Sequence, residues 1–343
     1  LKILVFNPSF LGDSVLTTPL IKALKVYYPE SAVDFCVRPE NAALFEGLEQ
    51  VNEVIAFDKR GSAGGLGGIF RFAARLKKRD YDVIISCHKS FRTTMTLALT
   101  GVPRRIGFEQ SALPFLYPEK VSRDMSLHEV ERNLMLLAPL VEDFSLEKAE
   151  EAAGLPVVYV DESIAENAKA YIKSAAGGRK LIGLNPGSVW NTKKWQADKY
   201  ALLAEMLFDA GYFPVIFGGP SDMPDCAAVE TGMDAPVLNL CGKLPLSQLP
   251  AYISVMDAFV TNDSGPMHIA VATGVPCVGI FGPTVKGLGF FPYGGKSVVV
   301  EDEGLYCRPC GLHGGDECPE GHFRCMGEIE PGKVFEALKG LLS

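Results

Sequence analysis

Four short segments bring together residue types that handle anions, hydroxyls and protons. The first is Asn7-Pro8-Ser9-Phe10-Leu11-Gly12-Asp13-Ser14, where Gly12 and Asp13 stand at the mouth of an expected helix. A carboxylate there serves either as an N-cap or as a base, and the free N–H groups and dipole of the helix favour its charged form. The second is Asn185-Pro186-Gly187-Ser188 followed by Lys193-Lys194-Trp195. Ser188 and the backbone offer donors, and Lys193 offers a point charge suited to a phosphate. The competing reading is a solvated loop anchored by Trp195. The third is Thr261-Asn262-Asp263-Ser264-Gly265-Pro266-Met267-His268. Pro266 stands where a first helical turn begins, so the N–H groups across 264–268 make an anion site at a helix N-terminus. Asp263 repels phosphate and suits sugar hydroxyls, while His268, one turn in, can donate to a phosphate oxygen. Alternatively Asp263 is a cap and His268 a helix-surface residue. The fourth is Phe217-Gly218-Gly219-Pro220-Ser221-Asp222. An acid after a strand often holds a ribose diol, although a turn aspartate beside proline and glycine needs no ligand.

The elements that position these segments alternate strand and helix. Strands are expected at Ile3–Phe6, Val33–Val37, Val54–Phe57, Val83–Ser86 and Arg105–Phe108, with helices near Ser14–Tyr28, Ile69–Lys78 and Phe91–Leu99. Val141 to Lys180, rich in Glu, Ala and Lys, reads as an interdomain region with a leading helix. A second series follows, with strands at Leu181–Leu184, Pro214–Phe217, Ala258–Thr261 and Cys277–Phe281. Its helices are expected at Ala197–Ala210, Pro224–Glu230, Leu246–Val255 and Met267–Ala272. Such alternation indicates parallel sheets covered by helices on both faces. The expectation is two Rossmann-like α/β domains facing a cleft, 1–160 and 161–343, with the last helix able to pack back on the first domain. In open α/β sheets ligands sit beyond the carboxyl ends of strands, which is where all four segments fall.

Composition narrows the function classes. The net charge of −8 argues against broad nucleic-acid binding, which calls for a basic face. The first 160 residues are nearly balanced and the remainder holds most of the deficit, so an anion bound there needs well-aimed local donors. No stretch approaches the roughly 18 unbroken apolar residues of a spanning helix, and Leu1 to Phe6 read as a strand rather than a secretory signal. The expected location is cytoplasmic. A nicotinamide dehydrogenase is disfavoured, because neither half carries G-x-G-x-x-G.

The segments Asn7 to Asp13 through Thr18-Pro19-Leu20, Asn185 to Trp195, and Thr261 to Thr284 ("TNDSGPMHIAVATGVPCVGIFGPT") resemble those of the ADP-heptose:lipopolysaccharide heptosyltransferases of glycosyltransferase family 9, more the second-heptose enzymes than the first. The resemblance implies a GT-B architecture, with acceptor on the N-terminal domain and nucleotide-sugar on the C-terminal one. It implies inverting transfer of heptose from ADP-heptose to the inner core of lipopolysaccharide, with Asp13 as base. Lys193, Ser264, Gly265 and His268 would hold the diphosphate, Asp263 the sugar and Asp222 the ribose, with Gly12 and Ser188 beside them. The implied acceptor is a phosphorylated glycolipid, met by some of Lys59, Arg60, Lys89, Arg92, Arg104 and Arg105; any contact with the inner-membrane face would follow the acceptor. ADP-heptose is a substrate and no resident cofactor is expected. A helix dipole that keeps Asp13 ionised also lowers its basicity, so a second group must tune it.

Five of the nine cysteines are scattered among apolar patterns. Cys307-x2-Cys310-x7-Cys318-x6-Cys325, with His313 and His322 interspersed, places four soft ligands within reach of one tetrahedral zinc. The spacing is not a repeated C-x2-C knuckle, and free thiols or a regulatory disulfide suit it too, so no metal is assigned. Other activities fit the scaffold: a sugar-nucleotide epimerase, a family member with another sugar, or a nucleotide-binding module without catalysis.

Overall fold

The computed structural model describes residues 1–343 except Arg60 and Ser62. The chain divides into two compact units, Leu1–Tyr159 and Val160–Ser343. In the first, β1 (Lys2–Phe6), β2 (Ala32–Val37), β3 (Glu53–Ala56), β4 (Val83–Ser86), β5 (Arg104–Phe108) and β6 (Glu119–Val121) form one sheet in the order β3-β2-β1-β4-β5-β6. Every ladder is parallel. Strands β1 and β4 are apolar and buried almost throughout, as strands covered on both faces must be. The helices are α1 (Leu11–Val15), α2 (Thr18–Tyr27), α3 (Gly65–Lys77), α4 (Phe91–Leu99), α5 (Glu129–Leu134) and α6 (Leu146–Ala153).

The single helix expected over Ser14–Tyr28 is two. Pro19, in the first turn of α2, has no N–H to return to the preceding turn, so α1 closes at Val15. The Thr17 hydroxyl then donates back to the Asp13 carbonyl at 2.8 Å and fixes the break. The segment after Val141 is also more structured than its composition suggested. Helix α6 packs on α2 and belongs to the first unit.

The second unit holds β7 (Lys180–Asn185), β8 (Tyr212–Ile216), β9 (Leu238–Asn239), β10 (Ala258–Asn262), β11 (Cys277–Phe281) and β12 (Ser297–Glu301), ordered β12-β11-β10-β7-β8-β9 and again all parallel. Its helices are α7 (Glu162–Ala176), α8 (Ala197–Asp209), α9 (Met223–Thr231), α10 (Leu249–Ile253), α11 (Gly265–Ala272), α12 (Arg324–Gly327) and α13 (Pro331–Leu342). Helix α13, read from sequence as able to pack back on the first domain, lies against α8 and strands β10, β11 and β12 of its own unit. Strands β6 and β9 escape the sequence pattern because three and two residues show no period. Strand β12, not among the strands expected from sequence, holds a run of three valines.

Each sheet reverses its winding once, between β1 and β4 in the first unit and between β7 and β10 in the second. Loops leaving the carboxyl ends of those strands diverge and leave room for a ligand. No helix among the described residues is long and apolar enough to cross a membrane.

The β7–β10 pairing depends on a missing side chain. Gly183 pairs with Phe259, and a Cβ at Gly183 would lie 2.3 Å from the Phe259 ring and 3.2 Å from Phe217. Gly183→Ala is expected to cost about 1–3 kcal/mol through overpacking. Urea unfolding checks this: the midpoint should fall while the slope stays unchanged.

Candidate active site

In the first unit, Phe6 is in register with both Cys36 and Ser86, so the loops after β1, β2 and β4 open side by side. The β1 loop is held from several directions. Asn7 Nδ2 donates to Thr17 Oγ1 at 2.7 Å and to the Asp13 carbonyl at 3.3 Å, and Asn41 Nδ2 reaches the Ser9 carbonyl and Ser14 Oγ. Asp13 is the third residue of α1, behind the N-cap Phe10, so it does not cap the helix. Part of its surface stays accessible, yet protein surrounds it closely enough that burial dominates its ionisation. Burial first and the Glu129 carboxylate second raise its pKa to about 7, against a hydrogen bond from the Phe10 backbone and the charges of Arg123 and Arg38. This reverses the expected sign. A five-residue helix has little dipole, and desolvation outweighs it.

Cations face this carboxylate from several loops. Arg38 follows β2, donates to the Pro8 carbonyl and stacks 4.4 Å over the Phe10 ring. Lys59 follows β3, and its Nζ lies 3.2 Å from His88 Nε2. An ammonium can only donate, so Nε2 accepts, and Nδ1–H is left to donate to Thr93 Oγ1 at 2.6 Å. Burial, with Lys59 and Arg38 beside it, drives the His88 pKa down to about 3, which keeps the ring neutral. Burial, then Arg38 and Arg92, pushes Lys59 down to about 8. Arg92 donates to the Lys59 carbonyl.

Of the six basic residues singled out from sequence, Lys59, Lys89 and Arg92 therefore stand at the carboxyl end of the sheet. Arg60 lies outside the described residues. Arg104 and Arg105 begin β5, at the opposite end. Arg104 makes two 2.9 Å bonds to Glu119, and Arg105 donates to the Val102 and Leu116 carbonyls. Arg38 and Arg123 were missed. Arg38 was findable, since it directly follows a strand that was read; Arg123 follows β6, which was not.

In the second unit Thr261 is in register with Asn185, and one asparagine links the loops after β7 and β10. Asn185 Nδ2 lies 3.2 Å from the Gly187 carbonyl, 3.3 Å from Thr261 Oγ1 and 3.4 Å from Ser264 Oγ. Asn262 ties the same loops from the other side, donating to the Pro186 carbonyl at 2.8 Å and accepting from the Trp195 N–H. Lys193 and Asp263, both nearly buried, pair at 2.6 Å, and Thr284 Oγ1 donates to the same Asp263 oxygen at 2.6 Å. Asp263 Oδ2 is thus occupied by two protein donors, Lys193 and Thr284.

Ser264 is the N-cap of α11, and Pro266 lies in its first turn. The sequence expectation counted N–H groups from 264 to 268. Proline has none, and the Met267 N–H turns to the Ser264 carbonyl, so the N–H groups of Ser264 and Gly265 are those without an acceptor among the described residues. His268 is buried, and burial lowers its pKa to about 4 against the pull of Asp263. It is a neutral donor, and its Nδ1 is buried with no hydrogen-bond partner. Ser188 is nearly buried at the mouth of the β7 loop. Asp222 accepts from the Gly219 N–H at 2.8 Å, and a Cβ on Gly187 would meet its carboxylate at 2.2 Å. Glycine at 187 is therefore what lets Asp222 reach the β7 loop. The C-terminal cysteines are free thiols, Cys307 Sγ lies 4.0 Å from His322 Nε2, and no three His, Cys, Asp or Glu among the described residues form a metal-holding group.

Comparison with known proteins follows this geometry. Residues 69–317 match the profile of Glycosyltransferase family 9 (heptosyltransferase). The chain is 28% identical over 352 residues to lipopolysaccharide heptosyltransferase 2 of Escherichia coli K12, covering 100% of this chain and 99% of that one. Among solved structures, a glycosyl transferase family 9 protein from Veillonella parvula superposes with TM-score 0.86 at 26% identity, over 99% of this chain and 97% of its own. The E. coli ADP-heptose heptosyltransferase II gives TM-score 0.80 at 26% identity, over 100% and 98%.

Removing one member of a buried ion pair strands the other. Lys193→Met should destabilise the second unit by about 3–5 kcal/mol. Lys193→Met/Asp263→Asn should regain most of that loss in chemical denaturation. A double variant no more stable than the single one would mean the pair carries no such cost.

Proposed function

The chain belongs to glycosyltransferase family 9 (heptosyltransferase), and from that premise we propose that it moves heptose from ADP-heptose to the inner core of lipopolysaccharide with inversion, adding the second heptose. The observation that carries the chemical reading is the Asp13 carboxylate, poised near neutrality by burial. An acceptor hydroxyl is a poor nucleophile, and a general base works best when its pKa lies near the working pH. Asp13 takes that proton as the hydroxyl attacks the anomeric carbon of the donor. The bond to the diphosphate breaks in the same displacement, and ADP leaves with the negative charge. The N–H groups of Ser264 and Gly265, neutral His268 and the Lys193 ammonium receive that charge, each strong donor contributing on the order of 3 kcal/mol. Asp263 orients the sugar through its remaining oxygen, and Asp222 takes the ribose hydroxyls.

The acceptor reading rests on Lys59. Burial first, and then the neighbouring charges of Arg38 and Arg92, lower its pKa, so three cations gather at a place already short of solvent. A phosphorylated glycolipid supplies negative charge to that cluster, and it would bring the enzyme to the membrane face that carries it. The second-heptose assignment is supported by the full-length likeness to heptosyltransferase 2.

Mass spectrometry of reactions with ADP-heptose tests the assignment directly. Heptose should be added to an acceptor that already carries one heptose and not to its heptose-free precursor; the reverse preference would overturn it. An epimerase would instead convert the donor with no acceptor present, which NMR of donor and enzyme alone would reveal.

Asp13→Asn should lower turnover about 10²–10⁴-fold while ADP binding persists by calorimetry. For the native enzyme, kcat/KM should fall as pH drops through about 7, where Asp13 takes up its proton. The stability sign runs the other way. A carboxyl whose folded pKa exceeds its unfolded value costs stability increasingly as pH rises between them. Asp13→Asn should therefore raise Tm at pH 8, by about 2–4 °C per kcal/mol regained, and leave it unchanged at pH 3.

A further inference from the structure

Close to Asp13 lies a buried arrangement of three charges that the proposed chemistry does not use. Glu129 opens α5 and is 5% exposed, between Arg123 at 8% and Arg132 at 0%. One carboxylate oxygen, Oε2, accepts from Arg123 Nη2 and, at 3.2 Å, from Arg132 Nη1. Arg132 is otherwise satisfied by the carbonyls of Asp124 and Met125 at 3.0 and 2.6 Å. Arg123 is not. Among the described residues its Nη1 hydrogen-bonds only to the Met125 sulfur, its Nε is buried without a hydrogen-bond partner, and its guanidinium lies 5.7 Å over the Phe108 ring. Helix α5 is docked on the segment that carries Asp13: Asn133 Nδ2 donates to the Leu16 carbonyl, and α5 packs on α2.

Fixing a carboxylate under two guanidiniums is costly unless it does something for the molecule. An under-satisfied arginine beside an aspartate tends toward a two-bond fork with it, and such a fork lowers a carboxyl pKa by about 1–3 units. That pairing would leave Asp13 ionised and a weak base. We propose that Glu129 is a positioning residue that holds Arg123 away from the Asp13 carboxylate and so keeps Asp13 basic enough to accept the acceptor's proton. This rests on the reading of Asp13 as base. The groups facing Asp13 are Arg38 after β2, Lys59 after β3, Lys89 after β4, Arg123 after β6 and Glu129 on α5. Glu129 opposes four cations, and its charge acts on Asp13 in the direction the proposal requires.

The pH dependence of kcat/KM tests it. In Glu129→Gln the acidic limb should move down by about one unit or more, with a plateau roughly threefold to tenfold lower, because a weaker base transfers the proton less readily. Arg123→Met should move the limb the other way, and Glu129→Gln/Arg123→Met should return it near the native position. Glu129→Asp, which keeps the charge, should leave the limb close to its native position. A packing defect would lower activity without moving the limb in opposite directions. If Glu129→Gln does not fold, Arg123→Met alone decides, and an unmoved limb in it overturns the proposal, as does an unmoved limb in folded Glu129→Gln. Asp13→Asn separates the two levels. If it retains turnover, the base reading falls; if it is inactive while the Glu129 and Arg123 variants keep the native limb, only the role of Glu129 falls.

Discussion

Taking one carboxylate partly out of water is the constraint around which the first unit is arranged. Left in solvent, Asp13 would be a stable anion with little appetite for a proton. Protein packed around it reverses that preference, and the surrounding charges then decide how far the reversal goes. Arg38 and Arg123 pull the equilibrium back and Glu129 pushes it on. A parallel sheet makes such a balance possible, because strands β1, β2, β3, β4 and β6 deliver their following residues to one end. The apolar interior of the sheet sets the loop roots rigidly, and the loops carry the charge.

On the proposed reading the second unit solves the opposite problem, holding an anion in a half of the chain that is itself acidic. It does so without a large positive field. Two free N–H groups, a neutral imidazole and a single ammonium do the work, and the ammonium is already engaged with Asp263. Short-range donors of this kind are insensitive to the net charge tens of ångströms away, where salt screens it. They also discriminate by geometry, since Asn185 and Asn262 fix the loops after β7 and β10 to one another through their side-chain amides.

The fold was legible because strand–helix alternation with buried, unbroken apolar strands has few other solutions. The loops bearing Asp13, Lys193, Asp222 and Asp263 were legible because small polar residues, Gly and Pro cluster after strands. What escaped reading was pairwise. Nothing in the spacing says that Lys193 spends its charge on Asp263, seventy residues away, whereas the expected strand Arg105–Phe108 already put Arg104 and Arg105 at its amino end. The sign of the Asp13 shift was misjudged for a related reason. A dipole can be guessed from a local motif, whereas burial and the charges of Arg38, Arg123 and Glu129 arise only when the folded chain brings distant segments together. Glu129 answers the question the sequence raised about a second group near Asp13, and no motif marks it.

Both indoles of the chain bracket Lys193. Trp195 is packed against Tyr200 with its Nε1 bonded to the Ile329 carbonyl, whereas Trp190 keeps part of its ring accessible. The first unit contains no tryptophan at all. Tryptophan emission, excited beyond the tyrosine band, is therefore a local signal, silent about the half that holds Asp13 and sensitive to whatever occupies the loop between β7 and α8. A nucleotide held there, as proposed, would be followed by light alone, with no dye and no added label.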